Sequence, residues 1–122
     1  MKPRILIIDD DPFTREALAA ILQRVGYEVI SLEGGREGEV DSLQQRFQVA
    51  VLDYHLPAIN GLELARRLKE RRPELRIIMI SSELPQGEEL AGQIVVDRFL
   101  AKPFSKDAIL EAIAQFCPPP AT

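Results

Sequence analysis

The sequence predicts an α/β domain: a parallel sheet with helices on both faces. Short apolar runs alternate five times with segments of helical periodicity, the pattern of repeated strand–helix units. The first run, Ile5-Leu6-Ile7-Ile8, has no polar alternation, as expected of a strand covered on both sides. The chain has 122 residues, 46% hydrophobic and 28% charged, which suits one globular domain. A domain of this size buries somewhat less than ~70% of its unfolded surface, so it needs no disulfide or metal staple.

Each element can be justified in turn. After the first strand, Asp11 and Pro12 supply an N-cap and a proline at the first helical position. Leu18, Ile21, Leu22 and Val25 then make one apolar stripe, and Gly26 ends the helix. Tyr27 to Leu32 reads as a second, more exposed strand, because Glu28 and Ser31 interrupt it. Three glycines among many charges follow, with a short helix expected from about Glu37 to Arg46. Val49-Ala50-Val51-Leu52 is a third strand. Asn60-Gly61-Leu62-Glu63 resembles a capping box, and its helix carries Leu64, Ala65 and Leu68 inward before Pro73. Arg76 to Ile80 is a fourth strand, and a short helix is placed around Gln86 to Gly92. Phe99-Leu100-Ala101 lies in the fifth strand, and Ser105 caps a last helix with Ile109, Ala112, Ile113 and Phe116 on one face.

Composition excludes several classes of function. Fifteen basic against nineteen acidic residues give a net charge of −4, which argues against a nucleic-acid module. A single cysteine, Cys117, excludes an internal disulfide and a cysteine-based zinc cage, and fits a reducing compartment. Met1 to Arg4, followed by only four apolar residues, is no signal peptide, and no apolar run approaches the ~20 residues that cross a bilayer. The basic run Arg66, Arg67, Lys69, Arg71 and Arg72 is interspersed with glutamates and reads as a solvated helix face. Leu110, Ala114 and Cys117 form a second stripe on the last helix, equally suited to core overflow and to a partner surface.

In such folds ligands sit beyond the carboxyl ends of the strands. The first strand ends in Asp9-Asp10-Asp11, the third in Asp53, the fourth in Ser81-Ser82 and the fifth in Lys102-Pro103. Two carboxylates ~4 Å apart repel by about 4 kcal/mol at an effective dielectric of 20. Their pKa values must rise, or a cation must join them. Hard oxygen donors favour Mg²⁺, which keeps several waters and invites phosphate oxygens. Lys102 can neutralise one such oxygen and Ser81 can hydrogen-bond another, leaving a carboxylate to attack phosphorus.

These pieces together resemble the receiver domain of two-component response regulators. They are Ile5 to Pro12, Val51-Leu52-Asp53-Tyr54-His55-Leu56-Pro57 with Asn60-Gly61, Ile80-Ser81-Ser82, and Phe99-Leu100-Ala101-Lys102-Pro103-Phe104. The resemblance implies a flavodoxin-like (βα)5 three-layer sandwich with a five-stranded parallel sheet in the order 2-1-3-4-5. It implies a receiver domain over 1–117, with 118–122 a proline-rich tail or the start of a linker; because Met1 stands immediately before the first strand, no domain is expected ahead of it. Asp53 is the expected phosphoacceptor. Mg²⁺ is expected on Asp9, Asp10, Asp53 and the backbone carbonyl of His55. Ser81 and Lys102 are expected to take the phosphoryl oxygens, Phe99 to swing with Ser81, and the Lys102–Pro103 bond to be cis. The side chains of His55 and Glu83 are expected to flank the site and tune phosphoryl lifetime. The surface expected to change is that of the fourth helix, fifth strand and last helix. Val95-Val96-Asp97 stands where the family often has Gly-Ala-Asp.

The expected role is thus a cytoplasmic, phosphorylation-controlled switch rather than an enzyme acting on other molecules. Its partners would be a sensor histidine kinase or phosphotransfer protein and a downstream effector. Neither nucleic acid nor membrane is expected, and homodimerisation stays open. Two alternatives stand beside it. One is a degenerate receiver that only binds protein. The other is a small Mg²⁺-dependent phosphotransferase of haloacid-dehalogenase type with Asp9 and Asp11 as its acidic pair, although Phe13 stands where that pattern wants Thr or Val. Asp11 also has a plain structural use as the helix N-cap.

Overall fold

A computed structural model describes residues 2–34, 46–57, 59–82 and 95–120. Five strands, β1 (Arg4–Ile8), β2 (Glu28–Leu32), β3 (Val49–Asp53), β4 (Arg76–Ser81) and β5 (Arg98–Ala101), pair in parallel in the order β2-β1-β3-β4-β5. The expected sheet order therefore holds. Three helices are described: α1 (Pro12–Arg24), α2 (Gly61–Arg71) and α3 (Lys106–Phe116). None of the described helices is long and apolar enough to cross a membrane.

Alternation along the strands assigns the layers. Ile5, Ile7, Val49, Val51, Ile78 and Ile80 face Leu18 and Leu22 of α1 and Ile109, Ala112 and Ile113 of α3. Their neighbours Leu6, Ile8, Ala50, Leu52, Ile77 and Met79 face Leu62, Ala65 and Leu68 of α2. β1, β3 and β4 are buried on both faces, which is why they read as unbroken apolar runs. β2 and β5 lie at the edges and are only partly buried.

The helix starts follow local chemistry. Asp11 Oδ1 accepts from Phe13 N at 3.1 Å and caps α1, and Ser105 Oγ accepts from Ala108 N at 3.0 Å and caps α3. Asn60 Oδ1 accepts from Leu62 N at 2.8 Å at the start of α2. The capping box expected there is only half formed, because the Glu63 carboxylate turns forward to Arg66 and Arg67 instead of back. Two guanidinium groups one turn ahead offer that carboxylate more than one amide behind it.

The second strand starts at Glu28, not at Tyr27. Tyr27 is buried, and its hydroxyl donates to the Cys117 carbonyl at 2.5 Å. Cys117 is itself a core residue packed on the α1 and α3 side. Gly26 follows α1 with φ +102°, a conformation that favours glycine, and a Cβ there would stand 2.7 Å from Pro120 Cγ. Pro120 therefore lies against the α1–β2 turn. The helices expected over Glu37 to Arg46 and Gln86 to Gly92 lie outside the described residues, except Arg46, which is not helical.

Candidate functional site

A parallel sheet brings the carboxyl ends of all its strands to one rim. β1 leads into Asp9 and Asp10, β3 ends in Asp53, β4 ends in Ser81, and β5 leads into Lys102. Ile8 lies across from Leu52, so Asp9 and Asp53 emerge side by side. Asp53 lies across from Ile80 and Ser81 across from Ala101, which brings Ser81 and Lys102 to the same edge.

Carboxylate oxygens of Asp9, Asp10 and Asp53 all lie within 4.8 Å of one another. Asp9 is fully buried and Asp53 nearly so, while Asp10 is exposed. Lys102 Nζ sits between the two buried groups, 3.3 Å from Asp9 Oδ2 and 3.2 Å from Asp53 Oδ2. Burial pushes the Asp9 carboxyl above the ordinary carboxylate range, and the charge of Asp53 pushes the same way. The Asp11 N–H and Lys102 oppose this without cancelling it. Burial alone would lower the Lys102 ammonium, but the two aspartates outweigh it and hold its pKa above the usual lysine value.

Backbone groups fix the two acidic turns. Asp11 N donates to Asp9 Oδ1 at 2.9 Å, and His55 N donates to Asp53 Oδ1 at 3.0 Å. Behind Asp53, Tyr54 N donates to the Ile80 carbonyl and Gly61 N to the Tyr54 carbonyl, both at 2.9 Å. His55 and Asn60 close that loop as an isolated antiparallel bridge. Gly61 has to be bare here, since a Cβ would lie 2.5 Å from the Asp53 carbonyl oxygen and 2.7 Å from Tyr54 Cα.

The other expected site residues have definite places. Ser81 is fully buried, and its carbonyl accepts from Lys102 N at 2.8 Å. Phe99 is half-buried against the α2-side core. The His55 side chain is exposed and meets Tyr54 edge-on, with ring centroids 4.8 Å apart. The Lys102–Pro103 bond is cis. Glu83 lies outside the described residues. Asp11 does not join the acidic cluster. Its two oxygens take Phe13 N and, at 2.7 Å, the Thr14 hydroxyl, which holds its carboxyl below the usual range. That commitment to capping weakens the Asp9–Asp11 phosphotransferase alternative.

Sequence reasoning missed Arg15, whose Nη1 donates to the Asp9 carbonyl at 2.7 Å. A signal was available, because a cation in the first turn of a helix opposes the macrodipole and so calls for an acceptor nearby.

The donor set fits a hard divalent cation. Three carboxylates converge, one ammonium offsets them, and the exposed side at Asp10 leaves room for bound water. Asp9, Asp10 and Asp53 are the side chains that would hold it.

Comparison with known proteins agrees with this geometry. Residues 5–114 match the family model for the response regulator receiver domain. The phosphate regulon transcriptional regulatory protein PhoB of Pseudomonas aeruginosa is 34% identical over 104 residues, 83% of this chain and 45% of that protein. A CheY-like receiver domain protein from Methanospirillum hungatei superposes with a TM-score of 0.86 at 28% identity, covering 94% of this chain and 93% of that one. TrrA from Thermotoga maritima, solved in complex with Mg²⁺-BeF, gives 0.79 at 28% identity, covering 95% and 99%. The chain spans at most about half the length of the first curated relatives it matches. With the sheet order, the acidic rim and the family match in agreement, the chain belongs to the receiver domain family of response regulators.

Proposed function

We propose that Asp53 is the phosphoacceptor of a Mg²⁺-dependent phosphorelay switch. Receiver domains of response regulators are phosphoacceptor signalling domains, and the convergence of Asp9, Asp10, Asp53 and Lys102 on one rim is the observation that carries the finer assignment. An Asp53 carboxylate oxygen forms a bond to phosphorus as the phosphorus–nitrogen bond of a phosphohistidine donor breaks, and the bonding pair leaves with the imidazole. Lys102 stands 3.2 Å from Asp53 and offsets the charge that accumulates there. Bound at Asp9 and Asp10, with the His55 carbonyl as a further ligand, Mg²⁺ would supply electrostatic neutralisation of the transferring oxygens.

The switch follows from the added charge, about −1.5 to −2. Ser81 and Lys102 move toward the new oxygens, and Phe99 follows into the space that Ser81 leaves. Driving such a two-state change from 1:99 to 99:1 takes about 5.5 kcal/mol of differential interaction. A few charge-assisted hydrogen bonds at about 1.5–3 kcal/mol each are enough. The donor is a histidine kinase or phosphotransfer protein in the cytoplasm, and the changed surface addresses an effector domain or protein.

Intact mass after incubation with acetyl phosphate and Mg²⁺ tests this. A species about 80 Da heavier, absent without Mg²⁺ and absent in Asp53→Asn, is expected. An unmodified wild-type chain would leave a protein-binding module instead.

A further inference from the structure

We infer that Arg15 is a positioning residue: by holding the Asp9 carbonyl, it sets the Asp9–Asp10 peptide so that both carboxylates face a divalent cation. This rests on the Mg²⁺ site proposed above.

Arg15 lies in the first turn of α1, the helix end whose dipole disfavours a cation. Asp9 belongs to a cluster of three carboxylates, yet the Arg15 bond goes to a neutral backbone oxygen, the Asp9 carbonyl, at 2.7 Å. Besides the Lys102 contact to its carboxylate, Asp9 is anchored at three further points. Its N–H donates to the Leu32 carbonyl at 3.3 Å, its side chain accepts from Asp11 N at 2.9 Å, and its carbonyl accepts from Arg15. That carbonyl belongs to the peptide unit joining Asp9 to Asp10, so fixing it fixes the plane from which Asp10 departs. Asp10 depends on this more than Asp9 does. It is exposed, and among the described residues no hydrogen bond or ion pair holds its carboxylate. Its orientation toward the cluster is therefore inherited from its backbone.

The two possible effects of the guanidinium have opposite signs. As a point charge near the rim it repels a divalent cation, and its removal would tighten Mg²⁺ binding. As a clamp it organises two of the ligands, and its removal loosens binding.

The test is calorimetric titration of the whole chain with Mg²⁺, for wild type, Arg15→Ala and Arg15→Lys. Acetyl phosphate modification rates over the same Mg²⁺ range and thermal midpoints in EDTA are measured alongside. For Arg15→Ala we expect a dissociation constant about tenfold higher, with Arg15→Lys recovering to within about threefold of wild type, as for groups that orient metal ligands. The rate at saturating Mg²⁺ and the midpoint in EDTA should stay near wild type. If Arg15→Ala binds Mg²⁺ as tightly as wild type or more tightly, the proposal is overturned. A weakened affinity matched by a lowered midpoint in EDTA, or unrelieved in Arg15→Lys, also overturns it. A wild-type chain that takes up no Mg²⁺ is a separate outcome and removes the metal site itself.

Discussion

Asp9 and Asp97 are both largely buried aspartates, at opposite ends of the same sheet, and their pKa values move in opposite directions. Asp9 accepts the Asp11 N–H at 2.9 Å, and Asp97 accepts the Ile77 N–H at 2.8 Å. Each has a lysine within salt-bridge distance, Lys102 at 3.3 Å and Lys69 at 3.0 Å. What differs is the company. Lys102 is divided between Asp9 and Asp53, with Asp10 adding a third carboxylate. Asp97 has Lys69 and, at 3.2 Å, Arg76 as well. Burial raises both carboxyls. At Asp97 the Ile77 N–H and the two cations outweigh it and hold the group below its ordinary range, whereas at Asp9 they do not. Burial alone therefore does not mark a functional acid. The local ratio of charges is what separates the two: three carboxylates to one ammonium at one rim, one carboxylate to two cations at the other.

The contrast can be broken most severely at Asp97. Its side chain is 14% exposed and that of Lys69 18%, so Asp97→Ala leaves a largely buried ammonium with the Leu75 carbonyl but no counter-charge there, and strands the Ile77 N–H. Urea denaturation should show a loss of about 3 kcal/mol. Because the folded pKa of Asp97 lies below the unfolded one, its contribution is complete above the ordinary aspartate value of about 3.9 and is lost as pH falls through the folded value. Asp97→Asn should accordingly flatten the acid limb of the stability curve.

Gly61→Ala comes next. The new methyl group meets backbone atoms of Asp53 and Tyr54, which cannot give way as a flexible side chain would. A loss of about 2 kcal/mol is expected, together with slower modification by acetyl phosphate in the population that remains folded. The smallest effect has the opposite sign. Asp10→Asn relieves repulsion at the crowded rim and should stabilise the Mg²⁺-free chain by about 0.5–1 kcal/mol, modest because Asp10 is exposed and screened. Adding Mg²⁺ should reverse the order, since only the intact cluster gains binding free energy. Thermal melts with and without Mg²⁺ read both signs.

The same contrast explains what was legible in the chain. Strands buried on both faces announce themselves, so β1, β3 and β4 could be placed within a residue or two, and the residues following them named the acidic rim. Helix caps at Asp11, Asn60 and Ser105 were local and readable. Contacts between distant segments away from that rim were not. Asp97 reaches Lys69 and Arg76 across 28 and 21 residues, so within the basic run Lys69 looked like solvated surface. Tyr27 reaches Cys117 across 90, which is why it passed for the start of a strand. Cys117 itself proved to be core, where its position on the last helix left core and partner surface equally open. Arg15 was missed for a different reason, since its place in a helix's first turn signals an acceptor nearby but a carbonyl partner leaves no trace in side-chain patterns.

The near-equal spacing of Lys102, 3.3 Å on one side and 3.2 Å on the other, has its own consequence. An ammonium bonded to two acceptors can shift toward either one when charge is added there. Its amide is bonded to the Ser81 carbonyl, so that shift in allegiance would tug directly on the join between two neighbouring strands. Lys102 thus ties the charge carried at the rim to the seam between β4 and β5.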